Sequence, residues 1–468
     1  MSKEINKLAL SKTEGLIPDL RFPEFVNEEE WEEKRISELG ETVNGLTGKS
    51  GEDFGTGKPY ITYKQVFDNS IIDFEKCGKV QINANENQNA LQIGDILFTT
   101  SSETPNEVGF ASVLVDSPKE TTYLNSFCFS LRPFYIKETL PEFSRYLFHS
   151  PIYRKSISAL AQGSTRYNIS KGAFLTLKLP IPNPKEQQKI ASCLSSLDEV
   201  IVAHSQKLDL LKDHKKGLMH NLFPNSITND QLRITDENSI TNYESSITDE
   251  DDQFVIRNSQ TRNLPKYLFK EFENDGEWSK FTLGKICKIT SGGTPNRSES
   301  KFWNGDIPWV STTLIDFNTI NEVNEYITEI GLKNSSAKIF PKGTILMAMY
   351  GQGKTRGKVG VLGIDAATNQ ACAAILLKAG YNTNFVFQYL AAHYDGIREL
   401  SNKGGQENLS GGLIEIVPIT IPNPKEQQKI TSCLSSLDAL ITAQKEKIEQ
   451  LKLHKKGLMQ GLFPKIND

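Results

Sequence analysis

Apolar residues recur in alternating steps of four and three along two stretches of this chain. The first runs Ile190, Leu194, Leu197, Ile201, His204, Leu208, Leu211, Lys215, Leu218 and Leu222. The second runs Ile430, Leu434, Leu437, Ile441, Gln444, Ile448, Leu451, Lys455, Leu458 and Leu462. Such spacing lays one apolar stripe along a helix and forms the seam of a coiled coil. Polar residues break both seams at the same two places, His204/Gln444 and Lys215/Lys455, which lowers stability but fixes register. Asn183 is a good N-cap, Pro184 suits the first helical position, and Glu186 completes a capping box. Gly217 and Gly457 each cost about 1 kcal/mol relative to Ala inside a helix. The continuing heptad nevertheless carries the helices to the prolines at 224 and 464, and about 35–38 residues span roughly 55 Å. Two copies of one seam most simply pair with each other.

The seams lie in a repeat. Residues 181–224 and 421–464 align without a gap, and about 31 of their 44 positions are identical, so the chain is two related halves. Between the near-constant segments the halves match more faintly. Trp31 answers Trp278, Ile36 answers Leu283, and Gly45 answers Gly292. Pro59-Tyr60-Ile61-Thr62 answers Pro308-Trp309-Val310-Ser311, and Gly94-Asp95-Ile96-Leu97 answers Gly343-Thr344-Ile345-Leu346, a turn entering a short apolar strand. Tyr146-Leu147 matches Tyr389-Leu390, and Asn168-Ile169-Ser170 matches Asn408-Leu409-Ser410. Both halves therefore carry a body of one mixed α/β fold. Residues 225–263 are polar, acidic in the middle, and read as a linker.

Composition changes this picture little. At 468 residues the chain has room for two bodies, each able to bury a core. No run of about 18 apolar residues occurs, and MSKEINKLAL does not read as a signal peptide, so a cytoplasmic protein with no membrane association is expected. The six cysteines include no CxxC pair, and Cys193 and Cys433 read as small buried apolar residues. A formal charge of −4 gives no general basic coat. Its distribution matters more. No carboxylate lies between Glu142 and Glu186, a stretch holding Arg145, Arg154, Lys155, Arg166, Lys171, Lys178 and Lys185. Residues 330–364 likewise hold Lys333, Lys338, Lys342, Lys354, Arg356 and Lys358 without an acid. The plain alternative is a pair of solvated faces.

Catalytic signatures are missing. Gly351-Gln352-Gly353-Lys354-Thr355 fails the phosphate-loop pattern, because the first glycine would fall at Ala348. No dinucleotide fingerprint, no Asn/Asp-Pro-Pro-Tyr/Phe tetrapeptide and no metal-ligand histidine spacing occurs. Pro18-Asp19 with Glu32-Glu33-Lys34 reads as a charged surface run rather than a nuclease site. What remains is binding. Tyr350, Gln352, Lys354, Thr355, Arg356 and Lys358 combine an aromatic, an amide and three cations with flexible glycines. Arg356 suits guanine O6/N7, Gln352 suits adenine, and the lysines suit phosphates; an ordinary basic hairpin turn is the bland reading. The first-half counterpart, Thr99, Thr100, Ser101 and Ser102, followed by Glu103-Thr104-Pro105-Asn106, offers hydroxyls and amides instead. Arg166 and Tyr167 are a second candidate, equivalent to Gln406 and Glu407, and Arg154 and Lys155 add charge.

These segments resemble the specificity (S) subunits of type I restriction–modification systems. The resemblance rests on the duplicated PNPKEQQKI…CLSSLD…KKGLM…LFP segments, the entries at 20–31 and 268–278, and the GDIL/GTIL strands. It implies an α+β protein with a pseudo-twofold internal repeat. Two target recognition domains (residues 1–180 and 267–420) would be held apart by an antiparallel coiled coil of residues 181–224 and 421–468, with 225–266 as linker. It further implies that each domain reads one part of a bipartite, asymmetric site in double-stranded DNA. Two adenine-specific methyltransferase (M) subunits would dock on the chain, and two restriction (R) subunits would join through them. The chain itself would be non-catalytic and without cofactor or metal, while S-adenosylmethionine, ATP and Mg would serve the partners. A fused enzyme acting on DNA by itself and a duplicated scaffold without nucleic acid are the competing readings.

Overall fold

Glycine turns feed short apolar strands into the middle of one sheet in each body. The structure, a computed structural model, describes residues 9–10, 16–224, 253–257, 263–351, 354–400 and 408–465. Gly94 and Gly343 take φ of +84° and +87°, a region that costs glycine nothing, and the strands Ile96–Thr99 and Ile345–Ala348 follow. Both strands are buried at every residue, hence their continuous rather than alternating apolar pattern. In the first body the sheet order is Gly40–Asn44, Cys128–Pro133, Ile96–Thr99, Ala111–Val113, all antiparallel. In the second it is Cys287–Ser291, Cys372–Leu377, Ile345–Ala348, Val359–Leu362, with Thr319–Ile320 added in parallel at the edge.

A second sheet repeats as closely. Phe54–Ile61 lies between Gly78–Val80 and Tyr123–Leu124, and Trp303–Val310 lies between Glu325–Ile327 and Ala366–Thr368. Each long strand carries a register shift near its start, Phe54/Lys58 in one and Trp303/Ile307 in the other. Each body is closed by pairing an early strand with its last: Glu32–Arg35 with Lys178–Ile181, and Ser279–Thr282 with Pro418–Ile421. The charged run at 32–34 is thus a mostly exposed edge strand, with Glu33 paired to Lys178. Closure brings chain entry and exit together, and the chain passes directly into a long helix.

The long helices are Pro184–Leu222 and Pro424–Gly461, of 39 and 38 residues, and both run through their glycines. Two compact units result, residues 1–205 with 446–468 and residues 206–445. Each unit shows antiparallel pairing by itself. In the first, Leu194 and Leu197 share one core with Leu451, Leu458 and Leu462. In the second, Leu218 and Leu222 share one core with Ile430 and Leu434. The lysines that interrupt the seams pair reciprocally: Lys455 Nζ lies 2.5 Å from Asp198 Oδ1, and Lys215 Nζ lies 2.6 Å from Asp438 Oδ1. Among the other seam positions Ile441 and Ile448 are buried, while Ile201, Leu208, Leu211 and Leu437 are half-buried. The terminal phenylalanines anchor each arrangement. Phe463 meets Trp31 and Phe143 at centroid distances of 5.9 and 5.8 Å, and Phe223 meets Phe385 and Tyr389 at 5.6 and 5.5 Å.

Three details depart from the sequence reading. Asn183 and Asn423 cap their helices, each Oδ1 accepting the N–H three residues on at 3.0 Å, but the capping box is not completed. The Glu186 carboxylate turns instead to Arg21, which donates from Nε and Nη2 at 2.8 Å each, because a buried guanidinium demands a bidentate counter-charge. The segment read as linker includes Phe254–Ile256, a strand paired with Tyr267–Phe269, while residues 225–252 lie outside the described residues. Cys193 and Cys433 are half-buried against the two cores rather than enclosed.

Candidate nucleic-acid interface

From Ile96–Thr99 the first body extends a finger that returns as Ala111–Val113. Its root is closed by Thr99 N–H to Phe110 O (3.0 Å) and Gly109 N–H to Thr99 O (3.2 Å). Within the finger, Ser101–Ser102 pairs antiparallel with Tyr167–Asn168, so two candidate segments far apart in sequence meet. The partner strand belongs to a hairpin closed by reciprocal bonds between Gln162 and Asn168 (2.9 and 2.8 Å). Gly163 makes the hairpin possible: it sits at φ +138°, and a Cβ there would lie 2.1 Å from the Arg166 carbonyl oxygen. Arg166 is thereby presented on the surface. Its Nε donates to Ser101 Oγ at 3.1 Å, and its guanidinium lies 5.7 Å from the centre of the exposed Phe127 ring.

The hydroxyls expected to face a ligand turn inward. Thr99 is buried and its Oγ1 accepts the Phe110 N–H (3.1 Å), while Thr100 Oγ1 donates to Phe127 O (2.6 Å). Ser102 Oγ donates to Glu107 at 3.0 Å, and Ser101 holds Arg166. In a finger pinned at its root and along one edge, these short side chains satisfy the protein's own polar groups. Arg154 is likewise committed. Its Nη atoms donate to the carbonyls of Asn106 (2.7 Å), Val108 (2.8 Å) and Gly109 (3.1 Å), and its guanidinium covers Phe110 at 4.5 Å. It shapes the finger from behind. Lys155 is exposed and lines a different recess, of about 680 Å³, with Ile152, Gly457 and Phe463. His149, pushed down to about 4 by burial, is neutral, and its Nε2 donates to Ala111 O at 2.7 Å.

The second body builds the same finger. Gly357 N–H bonds Ala348 O (2.8 Å), Ala348 N–H bonds Lys358 O (2.9 Å), and Gly357 at φ +84° matches Gly109 at +62°. Leu409 N–H to Met349 O (2.9 Å) repeats Ile169 N–H to Thr100 O (3.0 Å). The chemistry differs. Tyr350 and Lys354 are exposed, Thr355 is half-buried, and the Lys354 carbonyl accepts from Tyr394 Oη at 2.6 Å. Arg356, expected to meet a base, is only 6% exposed at the finger's root, withdrawn from the surface where a base edge would meet it. Lys358, expected to meet a phosphate, pairs with Asp316 at 2.6 Å. Gln352, Gln406 and Glu407 lie outside the described residues.

The carboxylate-free stretches are partly neutralised by acids from elsewhere, Asp198 for Arg145, Glu33 for Lys178 and Asp316 for Lys358. Sequence reasoning passed over Phe127, whose exposure is hidden in an apolar run, and Tyr63, which donates to Ser101 O at 2.6 Å. It also passed over Arg297, stacked 3.9 Å from Trp303 and 4.9 Å from Trp309 while paired to Glu325. Among the described residues no cluster suited to a metal occurs, and no helix is long and apolar enough to cross a membrane.

A family model for the type I restriction modification DNA specificity domain matches residues 28–213 and again 275–453, each match taking one body with most of its helix. The chain belongs to this family. The type I restriction enzyme MjaVIII specificity subunit of Methanocaldococcus jannaschii is 23% identical over 462 residues, covering 95% of this chain and 93% of that one. The MjaIX specificity subunit of the same organism is 29% identical over 184 residues, 38% of this chain and 41% of that protein. The EcoR124I/EcoR124II specificity subunit of Escherichia coli is 27% identical over 191 residues, covering 40% and 46%, so both shorter matches span under half of those relatives. The crystal structure of the type I restriction–modification S subunit from M. genitalium aligns over 96% of this chain and 100% of its own at TM-score 0.52 and 16% identity. A chain from a structural study of assembly in the type I R-M system aligns over 92% and 97% at TM-score 0.57 and 16% identity. The family's S subunits and this chain share one fold.

Proposed function

We propose that this chain is the specificity subunit of a type I restriction–modification complex and reads double-stranded DNA as a bipartite, asymmetric site, one part per body. The pair of fingers carries the reading. Their roots have the same backbone hydrogen bonds and the same returning glycine, while their tips differ, Arg166 beside one and Tyr350 with Lys354 on the other. A constant frame bearing different tips is what two readers of unlike sequences require, since phosphate contacts position a protein and base contacts specify. Membership of the DNA specificity family supports the same reading.

In this proposal two M subunits dock on the chain and methylate adenines using S-adenosylmethionine, and two R subunits join through them with ATP and Mg. This chain supplies the address and no chemistry, in the cytoplasm. Its complex with the cognate M subunit should place methylated adenines in a two-part, non-palindromic sequence with a constant spacer, read by methylation sequencing. Its affinity should fall linearly with the logarithm of salt concentration. The M-free chain should transfer no methyl group. Methylation by the chain alone, or of a short continuous palindrome, would overturn the proposal.

A further inference from the structure

Resting on that DNA-reading role, the surroundings of Arg166 narrow what it binds. Its carrier hairpin is closed at Gln162 and Asn168 and made by Gly163, and its Nε is fixed on Ser101 Oγ at 3.1 Å. Ser101 is itself held, its carbonyl accepting from Tyr63 Oη at 2.6 Å, and the Tyr63 ring stacks on Phe67 at 5.9 Å. The exposed Phe127 ring flanks the guanidinium at 5.7 Å, and the Phe127 carbonyl is fastened by both the N–H and the hydroxyl of Thr100 (3.1 and 2.6 Å). Among the described residues no carboxylate pairs with Arg166. The near acid, Glu107, receives the hydroxyls of Ser102 and Thr104 at 3.0 and 2.8 Å.

A phosphate contact needs charge but little orientation. Here a long side chain is held in advance at both its backbone and its Nε. With Nε engaged, Nη1 and Nη2 form a planar, end-on pair of donors, which matches the O6 and N7 acceptors of guanine in the major groove. We propose that Arg166 is the guanine-reading residue of the first body, with Phe127 as the positioning residue that holds its plane. The first part of the target then contains a G·C pair. The second body has Gln406 at the corresponding place, so this contact is confined to one part of the site.

The test uses the complete chain assembled with its M subunit, comparing wild type with Arg166→Ala, Arg166→Lys and Phe127→Leu. The readouts are the methylated motif and competition by duplexes carrying each base pair at each position of the first part. Arg166→Ala should relax one G·C position, reducing discrimination there by roughly 10–100-fold. Arg166→Lys keeps the charge without the fork and should relax the same position, and Phe127→Leu should do so more weakly. The second part should stay unchanged in all three. A motif whose first part holds no G·C pair overturns the assignment. So does an Arg166→Ala protein weakened equally on all sequences with a salt slope smaller by about 1, the signature of a phosphate contact. If wild type methylates no two-part motif, the DNA-reading role itself falls. A two-part motif untouched by both Arg166 variants leaves that role standing and removes this one.

Discussion

Glu186 and Glu426 begin the two long helices at equivalent positions, and each is buried against its own body. Glu186 meets Arg21 in a bidentate pair, both side chains at most 2% exposed. The second half has no arginine there, and Glu426 instead accepts the Trp278 Nε1–H at 3.2 Å. The matching Trp31 Nε1 is buried and has no hydrogen-bond partner among the described residues, Glu186 being turned to Arg21. Burial pushes Glu426 up to about 7, with Asp275 adding to the rise while Trp278 and Arg257 oppose it. A folded-state value above the ordinary one means that the folded form holds a proton the unfolded form releases. Stability from this group is therefore full below about pH 4.5 and is lost as pH rises through about 7. Glu426→Gln keeps the acceptor and should flatten this dependence, gaining on the order of 2 kcal/mol at pH 8 in denaturant unfolding; unchanged pH dependence would show that Glu426 ionises at its ordinary value. Arg21→Ala should strand Glu186 and cost about 3–5 kcal/mol in denaturant unfolding. A loss below about 1 kcal/mol would show that the pair behaves as an exposed ion pair.

At the scale of elements, the long helices and the central strands were legible, and the fingers were not. A stripe in steps of four and three over ten positions reads as one long helix, and Gly94-Asp95-Ile96-Leu97 and Gly343-Thr344-Ile345-Leu346 read as turns leading into short apolar strands. The carboxylate of Glu186 was misplaced because its partner lies 165 residues away, outside any local capping rule. The internal hydrogen bonds of Thr99, Thr100, Ser101 and Ser102 were not legible, because Phe110, Phe127 and the strand Tyr167–Asn168 meet them only in the fold. The burial of Arg356 beside Gly357, which takes φ of +84°, was likewise not legible in the carboxylate-free run that carries it. The Strand Phe254–Ile256 was hidden in a polar context that reads as linker. The antiparallel seam has its own test. Cysteines at Leu197 and at Leu451 or Leu458 should form disulfide crosslinks under mild oxidation, whereas crosslinking of Leu197 to Leu437 would require parallel pairing.

For the whole molecule, two bodies of one topology are joined to near-identical helices, and each helix ends in the core of the other half's body through Phe463 or Phe223. The frame is nearly the same in the two halves while the bodies differ, so the difference in what they recognise is expected to come from the bodies, whose cores are separate. Exchanging residues 31–179 for the matching body of a relative that shares these helices tests this claim most directly, read by sequencing the methylated adenines made with the same M subunit. One part of the methylated sequence should change, while the other part and the spacer length persist. Retention of both parts, or simultaneous change of both, would contradict the account.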